Sequence, residues 1–235
     1  MNADPEPSSR RKFVAGVGRF AVTIPFATRL DPSPPSERSP VGPAPWPPPG
    51  TWDLSWINRL ATATDRAVFD WPTLGDPTGP IVPQIAARYL DNCKDAYGAD
   101  GFRAGVVLNI RTSATAAGLS DAAWERFSLG AEYNVTDPAT QQPARRNPFW
   151  RRPAGTPPVP SEPMLDELVQ GGAIVLVCDF ALGHLAARLA TKLGRTTDEV
   201  HRELRGLFIP TAIAVPSGIF GLARSQNAGC AFVRM

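Results

Sequence analysis

The sequence is short of the residues that metal sites and disulfide frameworks require. Its 235 residues include three cysteines and two histidines, with no Cys-x-x-Cys spacing and no paired histidines. Structural zinc sites and disulfide scaffolds use more of these residues at closer spacing, so neither is expected. No phosphate loop of the type Gly-x-Gly-x-x-Gly or Gly-x-x-x-x-Gly-Lys-Ser/Thr joins a strand to a helix, so no nucleotide cofactor is expected.

The chain also lacks an excess of one charge and a long apolar run. It has 24 Lys and Arg residues and 22 Asp and Glu residues. Residues 1–29 contain five of the basic residues and two of the acidic ones, so the rest of the chain has 19 basic and 20 acidic residues. Because basic and acidic residues are nearly equal in number after residue 29, this part of the chain is not expected to bind nucleic acid, which requires a basic surface. No apolar run reaches the roughly 18 residues of a membrane-spanning helix. Hydrophobic residues make up 43%, enough for a sizeable core.

Proline is abundant, and its placement separates the N-terminus from the rest of the chain. Nine of the 26 prolines fall between Asp31 and Gly50. Because proline removes backbone donors and fixes φ, residues 30–50 are predicted to form a semi-rigid, polyproline-like linker. A proline-rich docking ligand is the alternative.

Residues 1–29 have the layout of an export signal. A charged head, Ser9-Arg10-Arg11-Lys12-Phe13-Val14, precedes a mildly apolar segment. The paired arginines resemble a twin-arginine signal, which implies export to the periplasm. A segment that is not cleaved would associate with a membrane surface without crossing it. The alternative is an ordinary basic tail before a short amphipathic helix.

Residues 51–235 alternate short apolar runs with helical patterns. Apolar runs predict five strands, at 67–69, 105–110, 173–177, 211–215 and 231–233. Apolar stripes at helical spacing predict helices between them, at 81–93, 121–129, 164–170, 182–193, 196–207 and 217–227. Thr196 and Glu199 form a capping box. This alternation predicts an α/β fold, with a five-stranded, mainly parallel sheet and helices on both faces.

The alternation stops in a proline- and arginine-rich insertion at about 130–163. Around Phe149 and Trp150 it carries four arginines, Arg145, Arg146, Arg151 and Arg152. A segment this long without secondary structure is usually functional or disordered. It is predicted to be a lid over a site or an arm that contacts a partner. In that case the two aromatic residues would anchor the contact and the arginines would bind an anionic surface. A mobile, solvated loop is the alternative.

Polar residues that follow the predicted strands are the candidate ligand-binding residues. Parallel sheets place ligand sites beyond the carboxyl ends of their strands. The residues at those positions are Asp70, Arg111, Thr112, Ser113, Cys178, Asp179 and Ser217.

Cys178 is the candidate catalytic residue, because the helix after it would aim backbone N–H groups at its sulfur and favour a thiolate. Asp179 opposes this, since a neighbouring carboxylate disfavours a second negative charge. A small buried hydrophobe at a strand end is the alternative. His184 is predicted to lie too far around the helix to pair with Cys178, and both His184 and His201 are predicted to be solvated. With no other histidine, a Ser-His-Asp hydrolase is excluded.

Four segments resemble the C-terminal half of DsrE/DsrF-like proteins: Leu176-Val-Cys178, Val215-Pro-Ser-Gly-Ile219, Arg224-Ser-Gln226 and Gly229-Cys-Ala-Phe232. With the resemblance of residues 68–126 to exported members, it covers roughly 65–235. It implies a five-stranded α/β sheet, association into a homo-oligomer, and a persulfide on Cys178 that is loaded by a sulfur donor and removed by an acceptor thiolate. Asp179 and Phe180 depart from the small residues that follow the cysteine in sulfur-relay members.

The sequence is compatible with two functions. The first is an exported DsrE-like protein that binds a small ligand or a sulfur species, as a persulfide carrier, with a sulfur donor or acceptor protein as partner. The second is a non-catalytic accessory subunit of a membrane-bound complex, tethered through the N-terminal segment, with the insertion as its contact arm. Whether the protein is an enzyme is left open.

Overall fold

The structure, a computed structural model, describes residues 51–75, 81–98, 103–137, 139–156 and 163–234. The predicted signal and linker lie outside these residues. The helices are α1 Trp56–Leu60, α2 Ile81–Tyr97, the 3₁₀ helix Thr112–Gly118, α3 Asp121–Arg126, α4 Leu129–Glu132, α5 Leu165–Gln170, α6 Asp179–Leu193, α7 Thr197–Arg205 and α8 Gly218–Asn227. The strands are β1 Asp65–Trp71, β2 Ala104–Ile110, β3 Ile174–Cys178, β4 Ile213–Val215 and β5 Ala231–Arg234.

The five strands form one parallel sheet in the order β4-β3-β2-β1-β5. The predicted α/β fold is therefore confirmed, and every predicted apolar run overlaps one strand. All five residues of β3 are buried, as a strand covered on both faces requires.

Two hydrophobic clusters cover the two faces of the sheet, because successive strand residues point to opposite sides. On one face, Phe69 and Leu108 belong to a cluster that includes residues of α2, α6 and α7. On the other face, Val68 and Leu176 pack with residues of α1 and α8. The chain thus leaves β3 through α6 toward one face and leaves the neighbouring β4 through α8 toward the other. A crevice opens between two such strand ends.

The helices begin and end at the residues that their capping chemistry favours. The predicted capping box at the start of α7 is confirmed, with the Thr196 hydroxyl accepting from the Glu199 N–H. Gly194 ends α6 in the left-handed region. The single helix predicted over 121–129 is wrong: α3 ends at Arg126, and Ser128 has a φ of 50° before α4 begins.

The described part of the insertion packs on the domain. Thr136 and Pro143 form an isolated antiparallel bridge. A Cβ on Gly130 would lie 2.3 Å from the backbone oxygen of Ala144, so only glycine permits this close crossing of α4 and the following segment. Among the described residues, no helix combines the length and the apolar character that crossing a membrane takes.

Candidate functional site

A cavity of about 390 Å³ opens at the carboxyl ends of β2, β3 and β4, between the starts of α6 and α8. It is lined by Arg111, Thr112, Ser113, Tyr133, Cys178, Phe180, Ala181, His184, Arg188, Ser217, Gly218 and Ile219. Five of the seven polar residues proposed from the strand ends are in this list. The other two, Asp70 and Asp179, lie behind the cavity wall.

Cys178 is the last residue of β3 and the N-cap of α6. Its Sγ accepts a hydrogen bond from the N–H of Ala181 at 3.3 Å. The residue is only 5% exposed, yet it lines the cavity, so the cavity is the route by which a small molecule reaches the sulfur. The preceding amide, the N–H of Phe180, donates to the carbonyl oxygen of Pro216 at 3.2 Å. This bond holds the start of α6 beside the turn that leads into α8.

Arg111 brings a fixed guanidinium to the cavity. Its Nε and Nη2 donate to Oδ1 and Oδ2 of Asp70, each at 2.7 Å. This hydrogen-bonded pair raises the pKa of Arg111 above its ordinary value. Asp70 is 4% exposed and does not line the cavity, so its role is to position Arg111 and not to bind a ligand directly.

The start of α8 lies against the stem of Arg111. Ser217 caps this helix, with its Oγ accepting from the N–H of Phe220 at 3.1 Å. A Cβ on Gly218 would lie 2.7 Å from the Cβ of Arg111, so a glycine is needed for the helix to approach this closely. The first N–H groups of α8, which have no intrahelical acceptors, are thereby brought to the cavity.

Thr112 and Ser113 continue the wall after β2. Thr112 has a φ of 54°, a left-handed conformation that is unfavourable for a β-branched residue. Backbone strain of this kind is concentrated at functional sites. Ser113 Oγ accepts from the N–H of Leu74 at 3.2 Å, which ties this turn to the loop after β1.

His184 is exposed, as predicted, and it lines the same cavity as Cys178, which its helical spacing from Cys178 did not predict. The prediction applied helical spacing to Cys178, but this residue is an N-cap with extended backbone angles, so that spacing does not describe where its side chain points. Phe180, His184 and Arg188 recur at intervals of four and form one face of α6 that lines the cavity. This spacing, starting two residues after Cys178, was the signal that sequence reasoning missed.

Arg188 is held by residues of α4 and the turn after it. Its Nε donates to Glu132 Oε1 at 2.9 Å, and its Nη2 donates to the hydroxyl of Tyr133 at 3.2 Å. Burial alone would raise the pKa of Glu132, but hydrogen bonds from Lys192 and Arg188 outweigh it and lower the pKa. Burial raises the pKa of Tyr133, so its hydroxyl is neutral at physiological pH.

Asp179 was predicted to bind a ligand, and this prediction is wrong. The side chain is fully buried, with Oδ1 at 3.1 Å from His201 Nε2 and 3.4 Å from Arg205 Nε. The prediction that His201 is solvated is also wrong, because the residue is 3% exposed. The cause is tertiary: α7 folds back on α6 and places both side chains against the carboxylate. The negative charge next to Cys178 is therefore paired inside the protein.

Phe149 was predicted to anchor a partner, and this prediction is wrong. Its side chain is fully buried, with ring centroids 6.0 Å from Trp71 and 6.1 Å from Trp124. Trp150 is half-buried and packs against the same core. Asn147 holds this part of the insertion against the domain, since its Nδ2 donates to the carbonyl oxygens of Ala117 and Leu119.

The four arginines around Phe149 pair with carboxylates of this chain. Arg145 meets Glu125, Arg146 and Arg151 meet Asp121, and Arg152 meets Glu167. These pairs fasten the insertion to α3 and α5. Partner binding by the arginines stays a prediction.

The remaining cysteines are structural, as predicted. All three cysteines are free, and Cys93 and Cys230 are buried away from the cavity lining. Burial raises the pKa of Cys230 to about 11, so its thiol is protonated at neutral pH. Within the described residues, no group of three His, Cys, Asp or Glu side chains is arranged to hold a metal ion.

No family model matches the chain. No curated protein matches it either. One solved structure, that of a protein of unknown function from Methanobacterium thermoautotrophicum, aligns with 13% sequence identity and a TM-score of 0.34. The alignment covers 73% of this chain and 99% of the other.

Proposed function

We propose that this protein binds a small anionic sulfur species in the cavity and carries its outer sulfur on Cys178 as a persulfide. One observation carries the proposal: the Cys178 sulfur, fastened by the Ala181 amide, lines the same cavity as the guanidinium of Arg111. A nucleophile and a fixed cation beside one another are what transfer from an anionic donor requires. The resemblance to DsrE/DsrF-like proteins supports the same chemistry, and the twin-arginine-like motif supports a periplasmic setting.

The surroundings of the sulfur favour an anionic ligand. Arg111, Arg188 and His184 line the cavity, and none of its described lining residues is an aspartate or a glutamate. The N-termini of α6 and α8 add partial positive charge and N–H donors. The carboxylates that pair with Arg111 and Arg188, those of Asp70 and Glu132, and the carboxylate of Asp179 next to Cys178 are each paired with an arginine.

The transfer is balanced without an external oxidant or reductant. The Cys178 thiolate attacks the sulfane sulfur of thiosulfate, and a new S–S bond forms as the old one breaks. Sulfite leaves with the electron pair of the broken bond, and Cys178 is left as a persulfide anion. An acceptor thiolate then attacks the outer sulfur and restores the Cys178 thiolate.

Intact-mass measurement tests the proposal on the full chain. After incubation with thiosulfate or with polysulfide, we expect a gain of one sulfur atom that a reducing thiol removes. Cys178→Ser should lose the adduct, whereas Cys93→Ser, at a buried cysteine outside the cavity, should keep it. An absent adduct with both donors, or an adduct that persists in Cys178→Ser, contradicts sulfur carriage.

A further inference from the structure

Two large apolar side chains stand at the cavity that holds Cys178. Phe180 is 52% exposed and Ile219 is 77% exposed, and both line the cavity. Each lies in the first turn of its helix, Phe180 in α6 and Ile219 in α8. We call this pair the apolar collar. Single exposed hydrophobic residues are ordinary, but two that line one cavity together with cations form a surface of mixed character.

The volume of the cavity exceeds what an inorganic anion fills. One water molecule takes roughly 30 Å³ of liquid volume, and the cavity holds about 390 Å³. Sites for organic ligands range over roughly 300–1,000 Å³. A five-atom anion such as thiosulfate would contact the cations and leave much of the remaining space to water, next to the collar.

Charge and apolar surface together indicate one class of ligand. Arg111, Arg188 and the helix N-termini suit a sulfonyl-type anionic group, because guanidinium groups and N–H donors bind oxygens that share negative charge. The collar suits an apolar body attached to that group. An inorganic donor satisfies only the first requirement.

We propose that the cavity selects organic thiosulfonates, in which the sulfane sulfur is attached to a sulfonyl group that carries an apolar body. The inference rests on the proposed function, since it uses the same thiol. The Cys178 thiolate attacks the terminal sulfur of the thiosulfonate, and the bond from that sulfur to the sulfonyl group breaks. An organic sulfinate leaves with the electron pair, and the persulfide remains on Cys178. Charge and electrons balance with no further reactant.

Binding of two unreactive sulfonates tests the recognition apart from the transfer. In full-length Cys178→Ser, titration calorimetry should show benzenesulfonate binding about tenfold more tightly than methanesulfonate, since the phenyl group is buried against the collar. Adding Ile219→Ser or Phe180→Ser should reduce this preference. Phe232→Ser is the matched control and should keep the preference for benzenesulfonate. Phe232 is 43% exposed, but it lies on β5, at the opposite edge of the sheet from β4.

The outcomes separate the two proposals. Equal affinity for the two sulfonates, or a preference that survives both collar substitutions, overturns the recognition of an apolar body. The wild-type chain is then treated with benzenethiosulfonate, and its intact mass is measured by mass spectrometry. A binding preference without a sulfur adduct refutes sulfur carriage and supports the recognition. An adduct without a preference supports sulfur carriage and refutes the recognition.

Discussion

Replacing Gly218 with alanine would disturb the contact on which the cavity is built. The new Cβ would lie 2.7 Å from Cβ and 2.8 Å from Cδ of Arg111, where ordinary contact begins at about 3.4 Å. The stem of Arg111 cannot easily yield. It directly follows a central strand, and its guanidinium is held by two 2.7 Å bonds to Asp70.

The energetic cost follows from the two ways of relieving this overlap. A shift of α8 with Arg111 in place is an overpacking change, which costs about 1–3 kcal/mol. Breaking the pair with Asp70 would leave a buried carboxylate without its partner, which costs about 3–5 kcal/mol of stability. The shift of α8 has the lower free-energy cost, so we expect this change and a fall in the free energy of unfolding of about 2 kcal/mol.

Gly183→Ala is the matched control. Gly183 lies within α6, and a Cβ there would meet nothing within 4 Å. Alanine in a helix interior is better than glycine by about 0.5–1 kcal/mol, so this variant should be more stable than the wild type.

Urea denaturation followed by circular dichroism measures both variants, and calorimetry with benzenesulfonate measures the cavity. Gly218→Ala should be less stable and bind more weakly, because α8 and Arg111 no longer meet. If Gly218→Ala matched Gly183→Ala in stability, the close approach of α8 to Arg111 would be refuted.

Two further predictions concern the rest of the domain. Phe149→Ala should lower the free energy of unfolding by about 3–5 kcal/mol, because it empties a space between Trp71 and Trp124; Arg145→Ala, at an exposed ion pair, should change it by less than about 1 kcal/mol. In urea titrations, equal effects of the two substitutions would show that Phe149 is not a core residue. The raised pKa of Cys230 means that the folded chain keeps this thiol proton to about pH 11, whereas the unfolded chain releases it near 9. The thiol's stabilising contribution is therefore complete below pH 9 and lost as pH rises toward 11, and unfolding free energies measured across this window should fall less steeply in Cys230→Ala.

Much of the fold could be predicted because its signals are local. The run Ala173–Val177 is apolar at every position, which only a strand covered on both faces tolerates, and it overlaps β3. Helix and strand ends were less predictable. The pattern from Asp121 to Leu129 is helical, but the chain turns at Ser128, and α4 then crosses close to Ala144.

The candidate site was predictable to the extent that topology decides it. The carboxyl ends of parallel strands meet at one edge, so Arg111, Cys178 and Ser217 could be placed together from the sequence. Asp70 was placed at the same edge, but its side chain turns to Arg111 instead of the cavity. Only the packing around a side chain decides between those two directions.

The residues around Cys178 show where local pattern stops being informative. Asp179 and Phe180 are neighbours in the sequence, yet one is fully buried and the other is 52% exposed. The difference arises because α7 returns along α6 and places His201 and Arg205 against Asp179.

The amino-acid sequence by itself determined the alternation of strands and helices, because hydrophobic periodicity depends only on neighbouring positions. It also determined which residues follow each strand. Tertiary structure alone decided which of those residues reach the cavity, that Phe149 is buried, and that Asp179 pairs with His201 and Arg205. Those outcomes depend on contacts between segments far apart in the chain, and no local pattern records them.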